Sequence, residues 1–353
     1  MGEAFTSQET VLRLDVDGRP GPRLDLGLYP VRTPRENVRL AGIAEALGYA
    51  TVWVPDSPVL WREMWVNMTA MVLGTHRVRV GSAVTSGVTR HPSVTASAAL
   101  SLAELSGGRF ALGLGSGDSS LVTSGSGRPQ KLAEFRETLM AFRGLLAGET
   151  ARVGEKDLCL PWAEQSRVPV LVAATGPRML ELSGEVADGV IVMVGVTEPM
   201  VRAAIERIHA GAERAGRDPN SIEIVLWVAC AVSDNAPATA RNSVKANVAR
   251  ASIRKLPGEL PPRHADVVDR IREAYDYAYH SAPGAPHGDL VTDGLIDDFA
   301  IAGTSAECAQ RLRALIHLPL NSIALAVPDA PDLDRGDMIA RVATTVMPLA
   351  RSG

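Results

Sequence analysis

Short apolar segments that alternate with helical segments are the feature that most restricts how this chain can fold. Eight apolar segments are predicted as strands, at 24–29, 51–54, 78–84, 110–114, 169–173, 189–194, 222–232 and 323–327. Helices are predicted after most of them, at 34–47, 61–73, 93–105, 131–146, 177–187 and 199–215. Apolar strands without strict alternation are typical of a parallel sheet that is buried on both faces. Eight such units favour a (β/α)8 barrel, the TIM-barrel class of α/β fold, over an open doubly wound sheet.

Three stretches interrupt this alternation. Residues 1–23 are polar and end in a Pro/Gly cluster, which predicts an N-terminal extension outside the core. Residues 24–353 are predicted to form one barrel domain with insertions at about 148–168 and 234–300. The second insertion is mostly helical and polar. Because a barrel builds its active site from the loops at the C-terminal ends of its strands, both insertions are expected to shape that mouth.

Composition excludes several classes of function. The chain has 353 residues, a net charge of −4 and only 4% aromatic residues, which argues against a nucleic-acid partner. No apolar run approaches the ~18–20 residues of a membrane span. Cys159, Cys230 and Cys308 are scattered and form no metal-ligand spacing. Reduced thiols and the lack of an apolar secretory segment predict a cytoplasmic protein without a metal.

A glycine-rich run follows the fourth predicted strand. Gly113, Gly115 and Gly117 occupy alternate positions, which would let a ligand approach the backbone closely. Ser116 and Asp118 then place polar side chains at the end of that strand. The spacing differs from the dinucleotide fingerprint. The run indicates either a ligand-binding loop or a flexible turn that tolerates glycine.

A second turn, after the fifth strand, leads into a helix. Thr175, Gly176, Pro177 and Arg178 stand at this start, where unpaired N–H groups favour an anion such as phosphate. Thr175 could cap the helix through its hydroxyl and also contact a phosphate. An ordinary βα turn is the alternative interpretation.

Two more positions carry candidate acid–base groups. Asp56 and Ser57 follow the second strand, where a barrel places reacting groups. Trp53 and Trp61 would supply apolar surface that favours a protonated, acid-donating Asp56, whereas the alternative is a helix cap. His91 is a candidate general acid or base in the loop after the third strand, or else a structural residue at a helix start. The metalloprotease, serine-hydrolase and nucleotide-phosphate motifs are missing from the sequence.

Several runs together resemble one known family. They are 89–96, 102–109, 113–119, 170–182, 56–62 and 299–304. In combination they resemble the bacterial luciferase-like superfamily over about residues 24–330. The most similar part of it is the coenzyme F420-dependent branch typified by methylenetetrahydromethanopterin reductase. Two positions depart from the pattern: Ser86-Gly87 replaces Asn-Pro, and Ser57 replaces the histidine of many flavin-using relatives.

The resemblance implies a (β/α)8 barrel, usually dimeric, that holds a flavin or deazaflavin at the strand C-termini. It implies a non-prolyl cis peptide bond at Ala83–Val84, behind the cofactor ring. The implied cofactor-binding residues are Ala83, Val84, Gly115, Ser116, Gly117, Asp118, Thr175, Gly176, Pro177 and Arg178. Ser57 and Trp61 are expected to contact substrate. Asp56, Asp118 and His91 are the candidate catalytic residues.

These observations favour an F420-dependent oxidoreductase that transfers hydride to or from a small organic substrate. One alternative is a luciferase-type monooxygenase that uses O2 and takes reduced FMN from a partner reductase. A second is a flavin-binding protein that has lost its chemistry. The expected partners are a small-molecule substrate, a second copy of the chain and a separate flavin or F420 reductase.

Overall fold

The computed structural model of the chain describes residues 11–14, 21–163 and 167–352. A closed barrel of eight parallel strands lies at its centre, with helices around it. The barrel strands are β1 (Arg23–Leu28), β2 (Thr51–Val54), β3 (Arg79–Ser82), β4 (Phe110–Leu114), β7 (Val170–Ala174), β8 (Gly189–Val192), β9 (Glu223–Val232) and β11 (Ser322–Val327). The others are β5 (Ala151–Val153), β6 (Lys156–Leu158) and β10 (Ala300–Gly303). The helices are α1 (Pro34–Ala46), α2 (Met64–Gly74), α3 (Pro92–Ser106), α4 (Ser119–Ser124), α5 (Leu132–Leu146), α6 (Pro177–Val186), α7 (Glu198–Arg214), α8 (Pro237–Ser243), α9 (Lys245–Ser252), α10 (Ala265–Ala274), α11 (Asp293–Phe299), α12 (Ser305–Arg313), α13 (Arg335–Arg341) and α14 (Met347–Arg351).

Parallel pairing closes the barrel and confirms the predicted fold. β9 pairs with β8 on one side and with β11 on the other, and β11 pairs with β1. A ninth strand, β10, was not predicted. It pairs with Ala229–Val232, the end of β9 that extends past β11. This strand has only four residues and follows a polar helical stretch, so its apolar pattern is too short to indicate a strand.

Two tryptophans fill the barrel interior. Trp53 from β2 and Trp227 from β9 belong to a separate apolar cluster inside the sheet. Glycines on neighbouring strands make room for them. A Cβ at Gly81 would lie 2.4 Å from the ring of Trp53, and a Cβ at Gly27 would lie 2.7 Å from that of Trp227. The interior is therefore a packed core rather than a channel.

Charged residues close the opposite, N-terminal end of the barrel. Glu223 accepts hydrogen bonds from Arg79 at 2.6 Å and from Arg23 at 2.8 Å. Asp25 is fully buried and accepts from Trp53 Nε1 and Ser322 Oγ. Burial raises the pKa of Asp25, although the charge of Arg79 acts in the opposite direction. These ion pairs and hydrogen bonds fill the N-terminal end of the barrel, and the open pocket lies at the C-terminal end.

The prediction that residues 1–23 lie outside the core is wrong for the described part of that segment. Leu14 is fully buried in the main core. The amide of Leu12 donates to Gly48 O at 2.7 Å, and Arg13 forms an antiparallel bridge with Arg23. Burial of the apolar Leu14 side chain beside the start of β1 stabilises this arrangement. The Pro/Gly cluster that follows Leu14 led to the prediction of a linker, and it gives no sign that the preceding residues pack on the core.

Both predicted insertions are present, with more structure than the sequence indicated. The first contains an antiparallel hairpin formed by β5 and β6, although residues 164–166 lie outside the described residues. The second contains α8 to α11 and covers the open end of the barrel. We call residues 245–281 of this insertion the lid. Helix α2 begins at Met64 rather than at Trp61, because Glu63 caps it by accepting from the amide of Val66.

Candidate active site

A deep pocket lies at the C-terminal ends of the barrel strands and under the lid. Its volume is about 1010 Å³ including the open mouth. Seven barrel strands and the lid contribute to its walls. The lining residues are Tyr29, Pro55, Asp56, Ser57, Trp61, Ala83, Val84, Thr85, Ser86, Gly115, Ser116, Gly117, Asp118, Ser119, Ser120, Ala173, Ala174, Thr175, Ile191, Met193, Trp227, Asn247, Arg250, Arg254, His280 and Ser281.

The backbone after β3 forms one wall of this pocket. The predicted cis peptide bond between Ala83 and Val84 is present. The glycine run packs directly against it. A Cβ at Gly113 would lie 2.0 Å from the carbonyl oxygen of Ser82, and a Cβ at Gly115 would lie 2.8 Å from Val84 Cγ2. Glycine is therefore required at both positions by close approach, and the interpretation as a flexible turn is wrong for them.

Asp56 is held by polar partners instead of aromatic walls. Its side chain is 1% exposed and forms an ion pair with Arg90, Nη1 to Oδ2 at 2.5 Å. The hydroxyl of Thr85 donates to the same oxygen at 2.7 Å. Burial lowers the pKa of Arg90, but the charges of Asp56 and Glu63 outweigh this and raise it overall. The predicted apolar surroundings are therefore wrong. So is the helix-cap alternative, because Glu63 caps α2.

Asp118 connects the loop after β4 to the lid. Its Oδ2 forms ion pairs with both Arg250 and Arg254, and Tyr277 donates its hydroxyl to Oδ1 at 2.9 Å. Asp118 also precedes helix α4 without capping it through its side chain. Burial and the nearby charge of Asp118 raise the pKa of Tyr277 to about 12. Tyr277 is thus a neutral hydrogen-bond donor at neutral pH.

Aromatic rings line the inner part of the pocket. Trp61 contacts Tyr29 with ring centroids 5.0 Å apart and contacts His280 at 5.9 Å. The Nδ1 atom of His280 shares a hydrogen bond of 2.7 Å with the Tyr275 hydroxyl. Burial, and then the charge of Arg250, lower the pKa of His280 to about 3. His280 is therefore a neutral imidazole that can form hydrogen bonds but is a poor proton carrier at neutral pH.

The predicted phosphate turn is only partly at the pocket. Thr175 lines it, whereas Gly176, Pro177 and Arg178 lie just outside the lining. Gly176, not Thr175, is the N-cap residue of α6, so the predicted capping role of Thr175 is wrong. Arg178 is exposed. Glu181, three residues further along α6, pairs with two arginines of α7 and not with Arg178.

Two further predicted residues have contrasting positions. Ser57 is buried in the pocket wall, with its hydroxyl 2.6 Å from that of Ser119. His91 is exposed at the start of α3, where its Nδ1 accepts from the amide of Ser93. It does not line the pocket. The prediction of His91 as a catalytic residue is contradicted because the ring serves as a helix cap away from the cavity.

Reasoning from the sequence missed the lid's contribution to the pocket. Asn247, Arg250, Arg254 and His280 all line it, although more than 120 residues separate each from Asp118 along the chain. One signal was available. Arg250 and Arg254 are four residues apart in an insertion predicted to be mostly helical, a spacing that places two side chains on one side of a helix. In the structure Arg254 lies just beyond the end of α9, and the spacing does not reveal that both side chains meet Asp118.

Comparison with known proteins identifies the family. Residues 16–321 match the family model described as luciferase-like monooxygenase. The chain therefore belongs to this family of barrel enzymes, as the sequence resemblance predicted. The family description names a monooxygenase, whereas the relatives described next are named as reductases and a dehydrogenase.

The relatives are named as reductases and dehydrogenases. The chain is 32% identical to 5,10-methylenetetrahydromethanopterin reductase of Methanolobus tindarius, over 84% of this chain and 91% of the relative. It is 32% identical to F420-dependent glucose-6-phosphate dehydrogenase of Tsukamurella paurometabola, over 55% of this chain and 64% of that protein. These relatives confirm the predicted similarity to the F420-dependent branch and the predicted oxidoreductase class.

A solved structure agrees with the fold. Coenzyme F420-dependent tetrahydromethanopterin reductase from Methanopyrus kandleri superposes with a TM-score of 0.74 at 24% identity, covering 92% of this chain and 98% of that one. Within the described ranges, no helix is long and apolar enough to cross a membrane. No cluster of metal-ligating side chains occurs in that same part of the chain.

Proposed function

We propose that this chain is an oxidoreductase that uses coenzyme F420 to transfer hydride to or from a small organic substrate. The observation that carries this proposal is the pocket wall formed by the Ala83–Val84 segment and the glycine run. It brings backbone and small side chains to the pocket at the C-terminal end of the barrel. The names of the relatives support F420 as the cofactor.

The residues present fit a flat ring system. Gly115 lines the pocket without a side chain, and a Cβ there would lie 2.8 Å from Val84 Cγ2, so only glycine allows this close packing of the wall. Thr175 and the amides around Gly176 would hold the phosphate, since the start of α6 favours an anion. When bound, F420 supplies a two-electron hydride carrier. The aromatic rings of Tyr29, Trp61 and Trp227 would exclude water from the reacting face.

Asp56 and Asp118 act in this proposal as positioning residues. Asp56 joins the loop after β2 to Thr85 and Arg90 of the loop after β3, and so fixes the wall behind the ring. Asp118 joins the loop after β4 to the lid. Ser57 and Trp61 line the same pocket, where they would contact the substrate.

Parallel binding titrations with F420 and with FMN test the cofactor. Trp61 and Trp227 line the pocket, so their fluorescence should report binding of either compound. We expect F420 to bind at least about tenfold more tightly than FMN, a difference of about 1.4 kcal/mol. Tighter binding of FMN would favour the monooxygenase alternative. Binding of F420 without turnover of any reduced or oxidised substrate would favour the inactive binding protein.

A substitution at Gly176 tests the phosphate position. A Cβ there would meet only the side chain of Lys255, at 3.8 Å, and the backbone φ of −78° suits any residue. Gly176→Val should therefore fold normally but weaken F420 binding by crowding the helix start. Gly42→Val is the control, because a Cβ at this position of helix α1 would meet nothing within 4 Å, and it should leave binding unchanged. Unchanged affinity in Gly176→Val would place the phosphate elsewhere.

We also propose that the enzyme is a cytoplasmic homodimer that exchanges its cofactor with a separate reductase. Its three cysteines are free thiols, in keeping with a reducing compartment. The neighbouring helices α2 and α3 expose four large apolar side chains, and we propose that a second copy covers them: Val66, Leu73, Val94 and Leu105. Sedimentation of the wild type and of Leu73→Glu measures the dimer. A wild-type monomer would refute it.

A further inference from the structure

Two arginines of the lid share a single carboxylate at the mouth of the pocket. Arg250 and Arg254 both direct Nη2 at Oδ2 of Asp118, while the other oxygen is occupied by the Tyr277 hydroxyl. The side chain of Arg250 is 4% exposed and that of Arg254 is 32% exposed. In both, Nε is buried and has no hydrogen-bond partner in the described structure.

The charges around Asp118 do not balance. Four charged residues line the pocket: Asp56, Asp118, Arg250 and Arg254. Asp56 pairs with Arg90, which also pairs with the half-exposed Glu63, and not with the lid. Asp118 is the one carboxylate paired with the two lid guanidinium groups, so this cluster of three side chains carries one net positive charge. A buried cation without a full complement of partners is costly, and an incoming anion would relieve that cost.

The aromatic groups nearby indicate that this positive charge extends into the cavity. The charge of Arg250 lowers the pKa of His280, after burial, which is the larger cause. It also opposes the rise that burial causes in the pKa of Tyr275. The Arg250 guanidinium lies 5.9 Å from the ring centroid of Tyr277. An anion bound to Arg250 would thus lie close to the rings of Tyr277 and His280.

We propose that Arg250 and Arg254 form an anion-binding subsite for the substrate, with Asp118 occupying the place of the anion while the pocket is empty. The substrate would then carry a phosphate or carboxylate group. Guanidinium groups suit both, because their planar donors match two oxygens at once. This inference rests on the proposed function, in which the cofactor occupies the side of the pocket formed by Ala83, Gly115 and Thr175.

Calorimetric titration with inorganic phosphate, and with acetate as a carboxylate probe, tests the subsite. Both the free protein and the protein saturated with F420 are titrated, since the start of α6 offers phosphate a second place only when F420 is absent. We expect phosphate or acetate to bind the F420-saturated protein. Arg254→Gln should weaken this binding at least about tenfold, the effect of losing one charge-assisted hydrogen bond.

Three further variants make the result specific. Arg250→Gln should also weaken anion binding, but it removes a buried ion pair and could therefore affect folding. Arg254 is more exposed, so its substitution tests binding with less effect on folding. Asp118→Asn should tighten anion binding, because it removes the competing carboxylate. Arg263→Gln changes another lid-side arginine, which is 63% exposed and pairs with Asp298, and should leave binding unchanged.

The possible outcomes separate this inference from the proposed function. Failure of F420 to bind the wild type refutes the cofactor proposal but leaves the arginine pair to be judged from the free protein. If F420 excludes the anion and Arg254→Gln weakens F420 binding itself, the arginines belong to the cofactor site and the substrate subsite is refuted. Equal anion affinity in Arg254→Gln and Arg263→Gln would also refute it, as would weaker binding in Asp118→Asn.

Discussion

Replacing Asp56 by asparagine should destabilise the protein, because Asp56 holds together two loops that form the pocket wall. The carboxylate accepts from Arg90 and Thr85 through Oδ2, and its Oδ1 is buried without a partner. An asparagine would place an NH2 group either against those two donors or in the unpartnered position. Removing one member of a buried ion pair costs about 3–5 kcal/mol. Arg90 is 21% exposed and keeps Glu63 as a partner, so we expect a cost below that range, roughly 2–3 kcal/mol.

Differential scanning calorimetry measures this loss. An unfolding entropy of about 2.1 cal/mol/K per residue gives roughly 0.7 kcal/mol/K for 353 residues, so Tm should fall by about 3–4 °C. The matched control is Asp157→Asn, whose ion pair with Arg152 is 65% and 61% exposed and which should change stability by less than ~0.5 kcal/mol. Substituting Arg90 by Met first should remove most of the effect of Asp56→Asn. If the two Asp→Asn variants are equally stable, the assigned role of the ion pair is wrong.

Three other predictions follow from the geometry. In urea unfolding, Gly113→Ala should lower the free energy of unfolding by about 2–3 kcal/mol, because the new Cβ would lie 2.0 Å from a backbone oxygen. Gly42→Ala is the control: its Cβ would have nothing within 4 Å, so the change should be neutral or stabilising. Because the pKa of His280 falls to about 3 in the folded state, the unfolded state binds the extra proton below pH 6.5. Stability should therefore drop by up to about 1.4 kcal/mol per pH unit between pH 6 and 3, and His280→Gln should flatten that dependence. Thiol titration of the native protein should detect Cys159 alone at an early time, since the other two cysteines are buried and burial raises their pKa values.

The barrel was predictable because its signal is local and repeated. Each buried strand is a short apolar run followed by a helix with its own start and stop residues, and eight repeats favour only one closed arrangement. β10 and the β5–β6 hairpin were missed because four-residue and three-residue strands carry too little pattern. Leu14 was missed because a Pro/Gly cluster resembles a linker whether or not the preceding chain folds back.

The site was predictable only where residues immediately follow a strand. Asp56, Asp118 and Thr175 each follow their strand within a few residues, so the barrel fold itself brings them to one mouth. Their roles depended on partners that are distant along the chain. The sequence places Trp53 beside Asp56, but in the structure the nearest charged group is Arg90, 34 residues away.

For Asp118 the position was predictable from the sequence, but the partners of its side chain were not. It follows a glycine run and was predicted to contact the cofactor, yet within the described structure the hydrogen bonds of its side chain go to two arginines and Tyr277 of the lid. If Asp118 served only to attach the lid to the barrel, one arginine would be enough to neutralise its carboxylate. The second arginine leaves this cluster with one net positive charge at the pocket, where charges interact more strongly than in water. An anionic substrate group would satisfy both arginines and release Asp118, so closing the lid and recognising the substrate would depend on the same three side chains.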